Sequence, residues 1–241
     1  MLTVLALLCA GAVALIGGLT VRGHGWWALD QRWSHRLFDV GHRHQPLTSA
    51  AEWVGHLTVP TVLRVITLVG AVVLWRRGWR REAVWWSLTM IISGAVAIGL
   101  RNVVARPRPH WPGSGPIVEG YTFPSGHATS AAVFAGCVLV VFWPHLRPIA
   151  RVGGSVVAVA FLLAVGGSRL LLGVHRVGDV VAAWALAAAL LLFAGALGPH
   201  RPIGLFHRPI RRPHRPDQAF PAGGGRSAGG VGRSPHRPDR R

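Results

Sequence analysis

Long uncharged apolar runs alternate along the chain with short stretches that hold nearly all of its charge. Crossing the roughly 30 Å hydrocarbon core of a bilayer takes about 20 mostly apolar residues, at about 1.5 Å of rise each. Six segments reach or approach that length: residues 1–21, 50–75, 83–100, 128–143, 152–167 and 180–197. The first has no charged side chain, whereas the second contains Glu52, His56, Pro60 and Arg64. The fourth and fifth are short, so flanking residues must complete them. The pattern predicts an all-α integral membrane bundle of six helices over residues 1–197. The opening run also has the length of a signal peptide. It lacks a basic start and a small-residue cleavage site before Arg22, so a retained first helix is expected.

Charge refines this picture. Only 14% of the 241 residues are charged, yet the net charge is +18, and all 26 basic residues are arginine. Such a balance first suggests nucleic acid. That reading needs a basic face on a soluble body, and here apolar spans separate the arginines, so no nucleic-acid partner is expected. Sixteen arginines fall in the second and fourth connections and the tail, nine in the other three connections, and Arg64 within a span. The positive-inside rule then places both termini in the cytoplasm and turns the first, third and fifth connections outward.

The tail, residues 198–241, is rich in Pro, Gly, Arg and His, with His-Arg-Pro triplets at His207, His214 and His236. It has too little apolar content to pack a core, so disorder is expected. Its net charge of +8 suits a solvated topology determinant or a contact with anionic headgroups of the inner leaflet. The prolines between its histidines are unlike a metal site. Cys9 and Cys137 lie inside apolar runs and read as packing residues.

Polar residues cluster at the ends of the outward connections, where a lipid headgroup would be met. The third connection opens with Arg101, passes Arg106, Arg108 and Pro109, and closes on Tyr121, Thr122, Phe123, Pro124, Ser125, Gly126 and His127. The fifth carries Ser168, Arg169, His175, Arg176 and Asp179. Guanidinium forks match phosphate oxygens. Ser125 and Gly126 stand where a helix begins, and a helix start offers free N–H groups to an anion. His175 and Asp179 are four apart and would stack on one helix face, the carboxylate fixing the imidazole tautomer. His127 stands where it could protonate a leaving oxygen.

These fragments, in this order, resemble the three-part signature of the type 2 phosphatidic acid phosphatase (PAP2) family, to which vanadium-dependent haloperoxidases also belong. They are Arg101 with Arg108-Pro109, then Pro124-Ser125-Gly126-His127, then Ser168-Arg169 with His175 and Asp179. The resemblance implies a metal-independent phosphatase without a cofactor. His175 would attack phosphorus to give a phosphohistidine, Asp179 would orient it, and His127 would act as acid and then base. Arg101, Arg108, Ser125, Gly126 and Arg169 would hold the phosphoryl oxygens. The family usually opens its first motif with Lys, and Arg101 keeps the charge on a larger planar donor.

A lipid phosphate or diphosphate is the expected substrate, with polyprenyl diphosphates such as undecaprenyl diphosphate and glycerolipid phosphates such as phosphatidic acid fitting equally. Transfer of the phospho-headgroup to another acceptor, or a non-catalytic membrane scaffold, are the alternatives. The apolar spans speak against the haloperoxidase branch. Arg106 and His110 match no motif position and read as headgroup contacts. Arg64 is expected to face the bundle interior or to snorkel beyond a kink at Pro60. Trp26, Trp27, Trp33, Trp75, Trp79, Trp85, Trp86, Trp111 and Trp143 read as an interfacial aromatic belt.

Overall fold

Apolar runs with few breakers fold as helices wherever their length allows. The computed structural model describes residues 2–21, 25–112 and 119–199, and all regular elements among them are helical. In chain order they are α1 (Leu2–Val21), α2 (Gly25–Arg43), α3 (Gln45–Leu57), α4 (Pro60–Arg76), α5 (Arg80–Val104), α6 (Gly126–Phe142), α7 (Pro148–Leu171) and α8 (Val177–Leu197). One 3-10 turn, Trp143–His145, prolongs α6. Prolines open α4 and α7 in their first turn, where the missing N–H costs nothing.

Among the described residues, α5, α6 with its added turn, α7 and α8 are each long and apolar enough to cross a bilayer. The flanks recruited by the two short predicted segments are therefore present. The second predicted span is instead a bent pair: α3 and α4 meet at 46° across Thr58 and Val59. Pro60 is the cause, as it cannot continue the preceding ladder. The tail from residue 200 onward lies outside the described residues, as does the side chain of Cys9.

Helix α6 lies centrally and packs against α4, α5, α7 and α8, while α1 packs along α8. Its buried face is built from small residues, Ala128, Ala131, Ala132 and Ala135. Small side chains let membrane helices approach closely. Leu63, Trp86, Met90, Val133, Val141 and Val165 complete the main core, with Cys137 buried among them as a packing residue.

The first connection, to which the sequence reading gave no element, is largely helical. Most of it is α2, whose buried residues are Asp30, Ser34, Phe38 and Gly41. Trp26, Leu29, Trp33 and Val40 are exposed on its other side. Its inward face sets Asp30 and Ser34 beside Phe38, and outward an apolar stripe is flanked by exposed Arg32 and Arg36, an arrangement that suits a membrane interface. Arg36 lies over the Trp33 ring at 5.0 Å, its charge at the edge of that apolar face.

Two further expectations change. Arg64 is exposed, and its guanidinium rests against Gly94 of α5 rather than inside the bundle. The tryptophans divide: Trp26, Trp33, Trp75 and Trp143 are exposed, whereas Trp86 and Trp111 are buried.

Candidate active site

Helix α5 stops at Ala105, a left-handed residue (φ 47°) whose N–H donates to Arg101 O at 2.9 Å. The chain beyond it is strapped to the segment before α6. Pro107 bridges Tyr121, and Thr122 N–H donates to Arg106 O at 2.9 Å. This strap brings the first and second motifs to the same end of the bundle. Arg108, half-buried, donates to the carbonyls of Glu119 and Val174, both at 3.3 Å. It thus bridges the first motif to the loop that carries the third.

Ser125 stands at the N-cap of α6, yet its hydroxyl makes no capping bond. Its N–H donates to Asp179 O at 3.1 Å, and its Oγ is buried without a hydrogen-bond partner. Capping therefore does not account for this serine. Gly126 follows, and a Cβ there would stand 2.6 Å from Arg101 Nη2. Only glycine lets that guanidinium lie against the helix start. The first N–H groups of α6, which have no intrahelical acceptor, begin at this point.

Arg169, in the last turn of α7, is buried. Its Nε donates to Ser168 Oγ at 3.1 Å and its Nη2 to Ala51 O at 3.2 Å. The guanidinium fills the space above Gly55, where any Cβ would collide with it. Helix α3 therefore fixes the arginine of the third motif.

His175 precedes α8 rather than lying on it, so its meeting with Asp179 is not helical stacking. Asp179 is the third residue of α8 and reaches back to accept the Arg176 N–H at 2.9 Å through Oδ2. That reach-back folds the turn and sets His175 Nδ1 3.6 Å from the same oxygen. The separation is longer than a closed hydrogen bond, and Nδ1 is otherwise unpartnered. The other oxygen, Oδ1, accepts from Arg106 Nη1 at 2.6 Å. Arg106, expected at a headgroup, is instead 1% exposed.

All eight residues expected at the site are brought together. His127 lies within electrostatic range of Arg169, His175, Arg108 and Arg101. Three guanidiniums face two imidazoles, and the one carboxylate is engaged by Arg106. The site therefore has a positive field suited to an anion. Burial lowers the pKa of His175 from its ordinary value; Asp179 opposes the shift, while Arg108 and Arg169 add to it. His175 is accordingly neutral near pH 7, with a lone pair available. Arg108 is also held below its usual value by partial burial and by Arg101. Burial likewise lowers Arg176 to about 10, with Arg106 adding to the shift. Among the described residues no cluster of three or more His, Cys, Asp or Glu has metal-ligand geometry. The donor set is that of an anion site.

Comparison with known proteins agrees with this architecture. Residues 82–201 match the PAP2 superfamily. Decaprenylphosphoryl-5-phosphoribose phosphatase of Mycobacterium tuberculosis is 31% identical over 140 residues, which are 57% of this chain and 72% of that protein. The chain belongs to the PAP2 superfamily. Phosphatidylglycerophosphatase B of Escherichia coli K12 is 35% identical over 109 residues, 42% of this PAP2 chain. The match spans only 39% of the E. coli protein. A transmembrane PAP2-type phosphatidylglycerolphosphate phosphatase from Bacillus subtilis shares the fold, with a TM-score of 0.68. Identity to it is 22%, over 80% of this chain and 94% of that one.

Several residues around the PAP2 signature escaped the sequence reading. Asp30, Gln31 and Ser34 of α2 bond to Gly178 N–H, Arg176 Nε and Val177 N–H, at 2.8, 3.1 and 2.9 Å. Trp27 lies beneath two guanidiniums, those of Arg106 and Arg176, instead of in a belt. Positions 27, 30, 34, 38 and 41 follow a helical stripe, and that spacing was the available signal. Gly55 carried no local signal. Glu52 and His110 are exposed.

Proposed function

We propose that this chain is a metal-independent phosphatase that removes the terminal phosphate of a lipid phosphate or diphosphate. The observation that carries the reading is the ring of Arg101, Arg108 and Arg169 around an unspent Ser125 hydroxyl and a helix start, facing a buried neutral His175. The arginines would neutralise charge spreading over the phosphoryl oxygens, with Ser125 Oγ and the first N–H groups of α6 completing the cradle.

Asp179 faces Nδ1 of His175, which leaves Nε2 as the nucleophile. Nε2 attacks phosphorus as the bond to the leaving oxygen breaks, and His127 donates the proton that oxygen needs. The product is phosphohistidine and a free alcohol or lipid monophosphate. His127 then takes a proton from water as the water oxygen attacks phosphorus, releasing orthophosphate and restoring His175.

An apolar groove of about 960 Å³ between α1, α5 and α8 supports a lipid substrate. Phe123, two residues before Ser125, lines its end, so a hydrocarbon tail would lie beside the phosphate cradle. The groove accepts glycerolipid and polyprenyl tails alike. Counting α1 and the bent pair as spans gives six crossings. Both termini would then be cytoplasmic and the site extracytoplasmic, with residues 198–241 on the cytoplasmic face, available to anionic lipid.

Phosphate release from a panel of lipid phosphates, with and without a chelator and with His175→Ala as control, tests the assignment. Activity should survive chelation and vanish in the variant. Loss on chelation, or turnover in His175→Ala, overturns the mechanism; headgroup transfer without orthophosphate favours the transferase. In a cysteine-free background, an impermeant thiol probe should label His110→Cys and not His145→Cys, and the reverse result inverts the topology.

A further inference from the structure

We propose that Arg106, anchored by Asp30 of α2, is a positioning residue that holds the Asp179 carboxylate in register with His175. The inference rests on the phosphatase reading above. Arg106 sits between two carboxylates: Nη1 donates to Asp179 Oδ1 at 2.6 Å and Nη2 to Asp30 Oδ2 at 2.5 Å. All three side chains are essentially inaccessible, Asp179 at 0% exposure. The second oxygen of Asp30 accepts the Gly178 N–H at 2.8 Å, so Asp30 is itself fixed to the first turn of α8. Trp27 closes the cluster, with the guanidinium carbons of Arg106 and Arg176 at 5.0 and 4.8 Å from its ring centre. Two acids and two arginines thus share one buried, charge-balanced cluster.

The geometry gives Arg106 a task in the reaction. A carboxylate can rotate about its last bond, and its two oxygens are interchangeable until something distinguishes them. Arg106 claims Oδ1, which leaves Oδ2 directed at Arg176 N–H and His175 Nδ1. Without that claim the carboxylate can turn away, and the 3.6 Å approach to His175 has no reason to close when charge develops on the imidazole. Asp30 prevents Arg106 from turning wholly to Asp179 and pulling it off His175.

A purely structural ion pair tying α2 to α8 would show the same distances, so the test needs a readout that stability alone does not move. The charged and titratable groups that bear on His175 are Arg108 beyond α5, His127 of α6, Arg169 of α7 and Asp179 of α8. Arg106, Arg176 and Asp30 stand behind Asp179. Neutralising Asp30 leaves Arg106 less compensated, which disfavours protonated His175 and moves the acid limb of activity to lower pH. Neutralising Arg106 leaves the Asp179 charge uncompensated, and because a turned carboxylate stays within electrostatic reach of His175, the limb moves to higher pH.

The experiment measures kcat and KM against pH for wild type, Asp30→Asn, Arg106→Gln, Arg106→Lys and His175→Ala in lipid nanodiscs, with folding checked by thermal melts. Arg106→Gln should lower kcat by about 10- to 100-fold with KM little changed, the size expected when a reacting group is displaced by about an ångström. Asp30→Asn should lower kcat less and shift the limb the opposite way. Arg106→Lys should recover part of kcat and leave the limb in place. Unchanged kcat and limb in the folded variants, or limb shifts of the same sign, overturn the proposal. Where Arg106→Gln fails to fold, Asp30→Asn and Arg106→Lys decide by the same readout. Turnover in His175→Ala overturns the underlying assignment instead, so the two failures are distinct.

Discussion

Gly55→Ala separates the stability of this protein from its activity. Gly55 is in α3, and a Cβ added there meets the whole Arg169 guanidinium, with Cζ at 2.7 Å and Nη1 at 2.9 Å. A carbon contact needs about 3.5 Å or more, and Nη2 lies nearer the new carbon than either atom, so the group must retreat by about 1.5 Å or more. It retreats as a unit, because its planar atoms are all involved, and the Nη2 bond to Ala51 O at 3.2 Å is lost. That bond has a charged donor and is worth about 1.5–3 kcal/mol net. Replacing a helical glycine by alanine returns about 1 kcal/mol through backbone entropy, so the net loss is about 0.5–2 kcal/mol and the melting temperature should fall by only a few degrees. Activity should respond differently: misplacing a phosphate-holding group by about an ångström costs up to about 100-fold. We expect kcat/KM for phosphate release to fall by about 10- to 100-fold in a variant that melts within a few degrees of wild type. Gly153→Ala is the control, because nothing lies within 4 Å of the added carbon. Wild-type turnover in Gly55→Ala would show that Arg169 need not be where α3 holds it, and would refute the reasoning.

Three further outcomes follow from the site. Ser125→Ala removes a buried hydroxyl that serves no capping bond, so it should leave stability unchanged or slightly raised while kcat drops by about 10-fold or more. A parallel loss of stability and activity would mean that Ser125 is structural. Gly126→Ala should displace Arg101, whose Nη2 stands 2.6 Å from the new carbon, and raise KM for the phosphate substrate; an unchanged KM counts against Arg101 as a phosphate ligand. His175 is buried in its neutral form, with its pKa lowered, so the unfolded chain binds more protons below its ordinary value of about 6.5. Stability should therefore fall as pH drops below that value toward the lowered pKa and stay level above it. Denaturation midpoints should lose this component in His175→Gln, and an identical pH profile in the variant would refute it.

The signature residues were legible in the sequence because each lies at a span end and each motif is local. Chain spacing alone brings His175 near Asp179, although the cause is the reach-back of Asp179 to Arg176 and not a shared helix face. What escaped depends on contacts between distant positions. Arg106 meets Asp30 across 76 residues: the stripe of α2 marks the face on which Asp30 lies, but nothing local names its partner. Gly55 reads as an ordinary helical glycine until Arg169 is placed above it. Helix α2 was missed for a different reason: its charges dilute any hydropathy average, and its apolar stripe faces outward, the reverse of a soluble amphipathic helix. The bend of the second span was signalled by Pro60, whereas choosing for Arg64 between the bundle interior and an exposed, snorkelling arrangement needed the structure.

The two faces of α2 are suited to different phases. Trp26, Leu29, Trp33 and Val40 look outward while Asp30 looks into a charge cluster shielded from water. The partition of one face into the headgroup region and the docking of the other against α8 are therefore linked equilibria on one rigid rod. On the proposed reading, lipid packing around α2 becomes a variable of the ionic cluster, and exchanging bilayer for detergent would reach Asp30 without touching any residue proposed to meet phosphate.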